Sequence, residues 1–234
     1  MLDDGIQWFA SGYNRSFAVA FNESSKGTVV HDQQGNVIFT CEGSLRNATL
    51  ERVMLSGAVL PGVDLSGAYL LGADLSYASL RNAILARAVL THASFDCSDL
   101  EECDLTETVA EGASFTVAKL RRARLCNADL YWALLHSADC TEADMANANL
   151  RGSTLCCANL RGANLTGANL GPGNMGGGAD VEGANLKHSI LVDAILIGVN
   201  LEKAILDGAV YSSGTQFPPE FRPEKHNMRA GGRC

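Results

Sequence analysis

SDLEE (98–102), AKLRR (118–122) and ADCTE (138–142) lie twenty residues apart in the chain and alternate in charge. The first carries three acids, the second three bases and the third two acids, and each surrounds an apolar residue whose number is divisible by five. A charge pattern that inverts with a lag of twenty favours a fold in which every twentieth residue comes together. The surrounding sequence indicates which fold does so.

The apolar residues of the chain repeat with a period of five. Every fifth residue from Leu45 to Met175 is Leu, Phe, Met, Cys or Ala, and after a one-residue slip the series resumes at Val181 and runs to Tyr211. Leu occupies 26 of these 34 central positions, and Ala stands two residues before the centre in 24 of them. A period of five fits neither an α-helix nor an ordinary strand. Each unit is therefore interpreted as one copy of a structural repeat.

Each unit is predicted to be a short strand followed by a corner. The Ala and the central residue are two positions apart, so they face the same side, as alternate residues of a strand do. The two residues that follow are often Gly, Ser, Asn or Arg, which suits a corner. Short strands joined by corners wind into a solenoid whose coils hydrogen-bond to one another at a spacing of ~4.8 Å.

The charge pattern predicts how many units form one coil. At lags of fifteen and twenty-five the acids of SDLEE meet neutral residues and a single arginine, whereas at twenty they meet the three bases of AKLRR. Opposite charges on neighbouring strands attract. Twenty residues, or four sides of five, are therefore predicted to form one coil of a square β-helix. Phe95 and Phe115, the only phenylalanines at central positions, would stack inside it.

The units AYLLG, ADLSY, ANLRG and ANLTG resemble those of the pentapeptide repeat family. The resemblance spans residues 45–211 and implies an all-β fold, a right-handed quadrilateral β-helix of about eight coils. The N-terminal stretch GIQWFASGYNRSFAVAF is similar to the cap of cyanobacterial members, a short helix and a first strand. The segments TVV, HDQQGN and VIF, between Phe21 and Gly43, predict a β-hairpin inserted before the coils.

These patterns divide the chain into three parts. Residues 1–43 are predicted to form an N-terminal cap with the short helix and the inserted hairpin, and residues 44–213 the β-helix. The Gly-rich segment GPGNMGGG (171–178) marks the slip, where the coil is expected to bulge around one extra residue. This segment lacks a following Lys-Ser/Thr, so it is not interpreted as a phosphate-binding loop.

The third part, residues 214–234, is predicted to be an irregular capping tail. It is rich in Pro and Gly and has no helical period. Phe217 and Phe221 are expected to fold over the last coil, because the open end of a β-helix exposes apolar side chains and strand edges. Residues 225–234 are expected to be disordered.

Composition indicates which partners and which cellular compartment to expect. A net charge of −8 and a pI near 5.1 disfavour direct binding to nucleic acid, which needs a basic face. The start of the chain lacks the features of a secretory signal, and no apolar run approaches the ~18 residues of a membrane span. Cys103 and Cys140 fall at inward positions without paired spacing. Both are predicted to be buried free thiols, and the protein is predicted to be cytoplasmic.

Large apolar residues point outward on one side of several consecutive coils. They are Tyr69, Leu71, Val89, Val109, Tyr131 and Trp132. Exposed patches of this kind often mark protein interfaces, so this side is the candidate surface for an unknown protein partner. The alternative is that the N-terminal hairpin or cap covers part of it.

Another side carries the alternating charges, which we call the charge ladder. Its members are Asp99, Glu101, Glu102, Lys119, Arg121, Arg122, Asp139, Glu142 and Arg161. Exposed ion pairs contribute only about 0–1 kcal/mol each. We therefore interpret the ladder as pairing within the rod that also favours solubility.

A further apolar cluster is predicted near the C-terminal end. It comprises Ile190, Val192, Ile195, Ile197 and Ile205, all at outward positions. Coverage by the Pro-rich tail is the simpler explanation, and a homodimer contact is the alternative. The protein is accordingly expected to be a monomer or a weak homodimer.

No catalytic, cofactor or metal site is predicted. His136 and Cys156 would stack on adjacent coils with Cys157 beside them, which is fewer than the four ligands of a structural zinc site. No nucleophile stands with a His and a third orienting group. The sequence therefore predicts a non-catalytic scaffold or protein interaction module. Some members of the family imitate DNA and bind type II topoisomerases, so the resemblance implies an alternative, an acidic DNA mimic that acts on gyrase.

Overall fold

The computed structural model describes residues 27–231 as a rod of stacked coils. From Thr49 onwards, isolated parallel bridges join residues twenty positions apart, beginning with Thr49 and Tyr69. Each coil contributes four of these bridges, one per side, so the twenty-residue coil predicted from the charges is confirmed. The predicted N-terminal helix falls in residues 1–26 and lies outside the described residues.

Four columns of outward side chains run along the rod, and we name its sides after them. The columns include Tyr69, Val89 and Val109 (face A), Asp74, Ser94 and Ser114 (face B), Asp99, Lys119 and Asp139 (face C), and Asp104, Arg124 and Asp144 (face D). Each corner is assigned to the face that precedes it. Following face A from Thr49 to Gln216 takes eight coil-to-coil steps.

The backbone of each coil is hydrogen-bonded to the coils on both sides. The N–H of Leu70 donates to the carbonyl of Val89 at 2.7 Å, and the N–H of Tyr69 donates to the carbonyl of Ala48 at 2.9 Å. The central Leu and the preceding Ala face inward and are fully buried, as at Leu65 and Ala68. Neighbouring coils thus hold one another through main-chain bonds, while aliphatic side chains fill the axis.

Four inward positions predicted from the repeat are confirmed. The rings of Phe95 and Phe115 stack with centroids 5.2 Å apart and an interplanar angle of 8°. Cys103 and Cys140 are buried and free. Burial raises the pKa of both thiols to about 12.

Most corners contain a residue in the left-handed conformation. The second corner residue has a positive φ, for example 55° at Trp132 and 65° at Gly152. Glycine adopts this conformation readily, whereas other residues do so at a cost. At the corner after face A, large residues and glycines alternate from coil to coil: Arg52, Gly72, His92, Gly112, Trp132 and Gly152. The ring of His92 lies over Gly112 and that of Trp132 over Gly152, so each glycine leaves space for the preceding coil.

An antiparallel hairpin covers the edge of the first coil. Strand β1 (Thr28–Asp32) pairs with β2 (Val37–Cys41) and also with β3 (Ala58–Val59), which belongs to the first coil. Val30 and Phe39 point inward from the hairpin and are buried. The hairpin therefore occupies a strand edge that would otherwise be open to another chain.

The Gly-rich segment 171–178 forms a loop, and the predicted one-residue slip is wrong in size. The bridge lag changes from 20 to 26 between Thr154 and Asp180, so six residues are inserted. The N–H of Ala179 donates to the carbonyl of Leu170 at 2.7 Å, which closes the loop at its base. Met175, which fits the five-residue pattern as a central residue, is 84% exposed in the loop.

The C-terminal tail continues the last coil. Beyond the 3-10 helix Leu201–Lys203, strand β4 (Val210–Tyr211) pairs in parallel with β5 (Arg229–Ala230), and a second 3-10 helix, Pro223–His226, precedes β5. Phe221 is buried, and Phe217 packs against the core.

The predicted disorder of residues 225–234 is wrong for residues 225–231. The N–H groups of Arg229 and Gly231 donate to the carbonyls of Ala209 and Tyr211, at 2.8 and 2.7 Å. The open edge of the last coil offers unpaired carbonyls, and the tail satisfies them. No helix among residues 27–231 has the length and apolar character needed to cross a membrane.

Candidate protein-interaction surface

Four of the predicted surface residues form an exposed stripe on face A. Parallel bridges place Tyr69, Val89 and Val109 on three successive coils. The exposed fractions of Tyr69 and Val109 are 39% and 41%, and Val89 is half-buried between them. Leu71 follows Tyr69 at the corner and is also half-buried. We call Tyr69, Leu71, Val89 and Val109 the apolar stripe.

The other two predicted surface residues, Tyr131 and Trp132, are covered by loop 171–178. The hydroxyl oxygen of Tyr131 accepts a hydrogen bond from the N–H of Asn174 at 2.9 Å. A Cβ added to Gly173 would stand only 3.1 Å from the Trp132 ring. The six-residue insertion thus shields these two rings and leaves the stripe above them open.

Arg151 joins the loop to the same rings. Its guanidinium carbon lies 5.8 Å from the centre of the Tyr131 ring, and its Nε donates to the carbonyl of Pro172 at 2.9 Å. A cation over an aromatic face is attracted to the ring. Arg151 is therefore already engaged within the chain.

The hairpin contacts faces B and C, not the apolar stripe. Gln33 at its turn donates from Nε2 to the carbonyl of Tyr77 at 3.2 Å, and β1 pairs with β3 on face C. The hairpin therefore does not cover the apolar stripe, and the N-terminal cap named in the same alternative lies outside the described residues. The antiparallel pairing to Ala58–Val59 directs the hairpin along another side of the rod.

The charge ladder lies on face C. Arg122 contacts Glu142 at 3.0 Å and Glu102 at 3.8 Å, on the two coils that flank its own. The hydrogen bond to Glu142 raises the pKa of Arg122. Arg121 contacts Asp139 at 3.8 Å. Within residues 27–231, Lys119 and Arg161 have no carboxylate within 4.0 Å.

Sequence reasoning missed three members of the ladder, Arg81, Lys187 and Asp207. Arg81 pairs with Glu101 and lies 3.8 Å from Asp99. The signal was present, because Arg81 stands twenty residues before Glu101. Lys187 contacts Asp207 at 3.6 Å further along face C, where the six-residue insertion shifts both residues out of step with the earlier members.

Negative charge is unbalanced on faces A and B. Counting each corner with its face, these two sides carry eight acidic and three basic residues, whereas face C carries six of each. Asp129 accepts a hydrogen bond from Asn149 at 2.7 Å, and Asp74 accepts one from the Ser76 N–H at 2.9 Å. In the described part of the chain, neither carboxylate nor that of Glu111 has a cationic side chain within 4.0 Å.

A family model for pentapeptide repeats matches this chain in eight copies, over residues 42–72, 68–106, 97–131, 133–171 and 177–210. The chain belongs to the pentapeptide repeat family. With its parallel coils and its structural relatives, it is a right-handed β-helix. No curated protein matches it.

Solved structures of other pentapeptide repeat proteins are similar to this one. HetL, a protein involved in heterocyst differentiation regulation in the cyanobacterium Nostoc, is 30% identical with a TM-score of 0.53, and the match covers 80% of this chain and 91% of HetL. The Nostoc protein alr5209 is 33% identical over 47% of this chain and 86% of its own, with a TM-score of 0.36. QnrB1, a plasmid-mediated fluoroquinolone resistance protein, is 16% identical over 79% and 90%, with a TM-score of 0.44. The QnrB1 likeness reflects the fold alone.

The C-terminal isoleucines of this pentapeptide repeat protein do not form one patch. Ile190 lies on face D, Ile195 and Ile197 on face A, and Ile205 on face C. Each step of five residues turns the chain to the next side, so a cluster that is compact in sequence is spread around the rod. Ile190, Ile197 and Ile205 remain 38–44% exposed, so the tail does not bury them.

His136 and the two thiols predicted beside it come together at one corner of the rod. Cys156 lies one coil beyond His136 at the same corner, with Cys157 next to it. Burial, and then a hydrogen bond to Asp180, raise the pKa of Cys156 to about 11, so this thiol is protonated at neutral pH. Residues 27–231 contain no group of three or more His, Cys, Asp or Glu side chains that could hold a metal ion.

Proposed function

We propose that this pentapeptide repeat protein is a non-catalytic interaction module that binds a protein partner through the apolar stripe of face A. The observation that carries the proposal is the stacking of Tyr69, Val89 and Val109, all outward, on three successive coils. Contiguous exposed apolar groups of this kind are typical of interaction sites.

The fold itself does not require apolar residues at these positions. Further along the same column the outward residues are Asp129, Asn149 and Asn169. Polar side chains are therefore compatible with the outward position of a unit on this face. The apolar residues of the stripe are better explained by a contact than by folding.

The stripe is held on a rigid surface. The backbone N–H groups of Leu70 and Leu90 donate to the next coil at 2.7 Å, and the core beneath is fully buried. A surface that is ordered before binding loses little conformational entropy when the partner docks.

The proposal extends to the organisation and location of the protein. In it, residues 44–213 present the binding faces, while the hairpin and residues 214–231 close the ends of the rod against edge-to-edge association. None of the seven cysteines of the described residues is in a disulfide, which supports a reducing, cytoplasmic location.

Site-specific photo-cross-linking in cells tests the interaction module. A photoreactive amino acid replaces Val109, and the matched control replaces Ile84 on face D, whose exposed fraction of 39% is close to the 41% of Val109. We expect a discrete cross-linked product from position 109 that disappears in a Val89→Asp background. Asp129 shows that the column accepts a carboxylate, so this variant should fold. Equal products from positions 109 and 84 would reject the stripe as the binding surface.

The second candidate is an acidic DNA mimic that acts on a type II topoisomerase. The excess of carboxylates on faces A and B favours it, whereas the balanced charges of face C do not imitate a polyanion. A gyrase supercoiling assay separates the two candidates. Dose-dependent inhibition or protection from quinolones would support mimicry, and no effect on gyrase together with a cross-link from position 109 would support the interaction module.

A further inference from the structure

We propose that the partner of the apolar stripe is an amphipathic α-helix with basic residues beside its apolar side, lying along the rod axis. This inference rests on the proposed function and assigns a chemistry to the partner. Three features of face A carry it: the spacing of the stripe, the charge beside it and the way it ends.

The spacing of the stripe matches a helix better than a strand. Tyr69, Val89 and Val109 occupy consecutive rungs, which lie ~4.8 Å apart in a β-sheet. An α-helix presents same-side residues once per turn of about 5.4 Å, through positions i, i+4 and i+7. Over two rungs, the helical spacing and the rung spacing differ by only about 1.2 Å in total. An extended segment presents same-side residues about 6.8 Å apart and is out of register after one step.

The negative charge beside the stripe favours a partner with basic side chains. Glu111 is exposed on the same coil as Val109, Asp129 lies directly beyond Val109 in the column, and Asp74 follows Leu71 around the corner. The hydrogen bonds to Asp74 and Asp129 come from neutral donors. These carboxylates remain able to pair with Lys or Arg of a partner, and such complementarity directs and orients docking.

Two arginines near the stripe each contact another group of this chain. Arg52 lies 3.8 Å from Glu51, and Arg151 is bound to Tyr131 and to the carbonyl of Pro172. Neither is placed to neutralise Glu111 or Asp129. An acidic partner would therefore be repelled from this end of the stripe.

The stripe ends where loop 171–178 begins its cover. Tyr131 and Trp132, the next large residues on this side, pack against the loop. The open stretch is three rungs long, which is about two helical turns. The proposed ligand is therefore a short helical segment.

Binding of a synthetic peptide to the full chain tests this proposal. The probe is a fluorescein-labelled helical peptide with Leu at i, i+4, i+7 and i+11 and Lys at the flanking positions, followed by fluorescence anisotropy. Two control peptides replace every Lys by Glu, or carry the same residues in scrambled order. We expect only the amphipathic Lys peptide to bind. Equal binding of either control would overturn the proposal.

Matched variants locate the binding site. Val89→Ser combined with Val109→Ser should weaken the Lys peptide about tenfold, equal to about 1.4 kcal/mol. Ile84→Ser combined with Ile190→Ser alters two residues of 39% and 38% exposure on face D and should leave the affinity unchanged. If both double variants bind the peptide equally, the helix does not lie on the stripe.

A charge variant tests the basic flank. Glu111→Gln should weaken the peptide about two- to fivefold at low salt and reduce the salt dependence of binding, because an exposed ion pair is screened. The control Glu220→Gln should change neither. Failure of the Lys peptide to bind, with the cross-link from position 109 retained, would reject the helical partner and leave the interaction module standing.

Discussion

Residues at the corners meet two separate demands, a left-handed backbone and the side chain of the neighbouring coil. Gly152 meets both, because its φ is 65° and a Cβ added there would lie 3.0 Å from the Trp132 ring. Gly62 has a similar φ of 66°, but a Cβ at that position would meet nothing within 4 Å. Comparing the same substitution at these two glycines therefore separates the cost of backbone strain from the cost of side-chain crowding.

Gly152→Ala should destabilise the protein more than Gly62→Ala. Both variants place alanine in the left-handed region at a cost of roughly 1–2 kcal/mol, and Gly152→Ala adds roughly 1–3 kcal/mol of crowding against Trp132. Urea unfolding at 25 °C measures the difference. Equal losses would show that the Trp132 ring moves aside freely.

Thiol labelling tests the inward cysteines. Burial raises the pKa of Cys103 and Cys140 from 9.0 to about 12, and three pKa units lower the thiolate fraction about a thousandfold. In the native protein, maleimide should modify exposed Cys97 quickly and these two thiols only on unfolding, as followed by mass spectrometry. Rapid modification of either would contradict their burial.

The raised pKa values of Cys103 and Cys140 also predict how the stability of the protein depends on pH. Because folding raises the pKa of these thiols, their contribution to stability is complete below the unfolded value of 9.0. It is lost as the pH rises from there towards 12.

At the level of the coil, the charge ladder was predictable and the loop was not. Charges twenty residues apart pair because the coil is twenty residues long, so the pattern and the geometry have one cause. An insertion of six residues in a five-residue period looks the same as a slip of one. Met175 then falls by coincidence at a central position. The bridge lag of 26 and the hydrogen bond that closes Leu170 to Ala179 reveal that the intervening chain leaves the coil.

Reversing the charge of Arg122 should lower the melting temperature by a few degrees. Arg122→Glu replaces two attractive contacts, to Glu102 and Glu142, by repulsive ones, each worth about 0.3–1 kcal/mol. Added salt should recover most of the loss, because screening acts strongly on exposed charges. Differential scanning calorimetry at two salt concentrations measures both effects.

A second-site reversal provides the control for the ladder. Glu142→Arg in the Arg122→Glu background should restore much of the stability, because it re-creates the pair in the opposite sense. Glu220→Arg, in the tail, should not. Equal rescue by both would mean that net charge, not pairing between coils, determines the effect.

At the scale of the whole molecule, the ends limit the stability of the rod. Coils in the middle are hydrogen-bonded on both sides, whereas the last coil depends on the tail. The sequence predicted the role of Phe217 and Phe221 from their apolar character. It did not predict β5, because pairing of Arg229–Ala230 with Val210–Tyr211 depends on where the chain returns in space and leaves no period in the sequence.

Phe221→Ala should destabilise the protein by about 3 kcal/mol, within the usual cost of removing a buried phenylalanine ring. Phe221 is 6% exposed and stacks on Phe217 with centroids 5.2 Å apart. Met175→Ala, at an 84% exposed position, should have no effect. The urea unfolding midpoints of the two variants measure the difference. Equal midpoints would show that the tail does not contribute to the stability of the rod.

The alternation of large residues and glycines after face A constrains how such a chain changes length by duplication. Removing or copying a single coil between Arg52 and Gly152 would place two large side chains, or two glycines, on adjacent rungs. Removing or copying two coils keeps the order intact. In this part of the rod, the shortest insertion or deletion that leaves the corner packing unchanged is therefore forty residues. This is two coils, or twice the structural repeat.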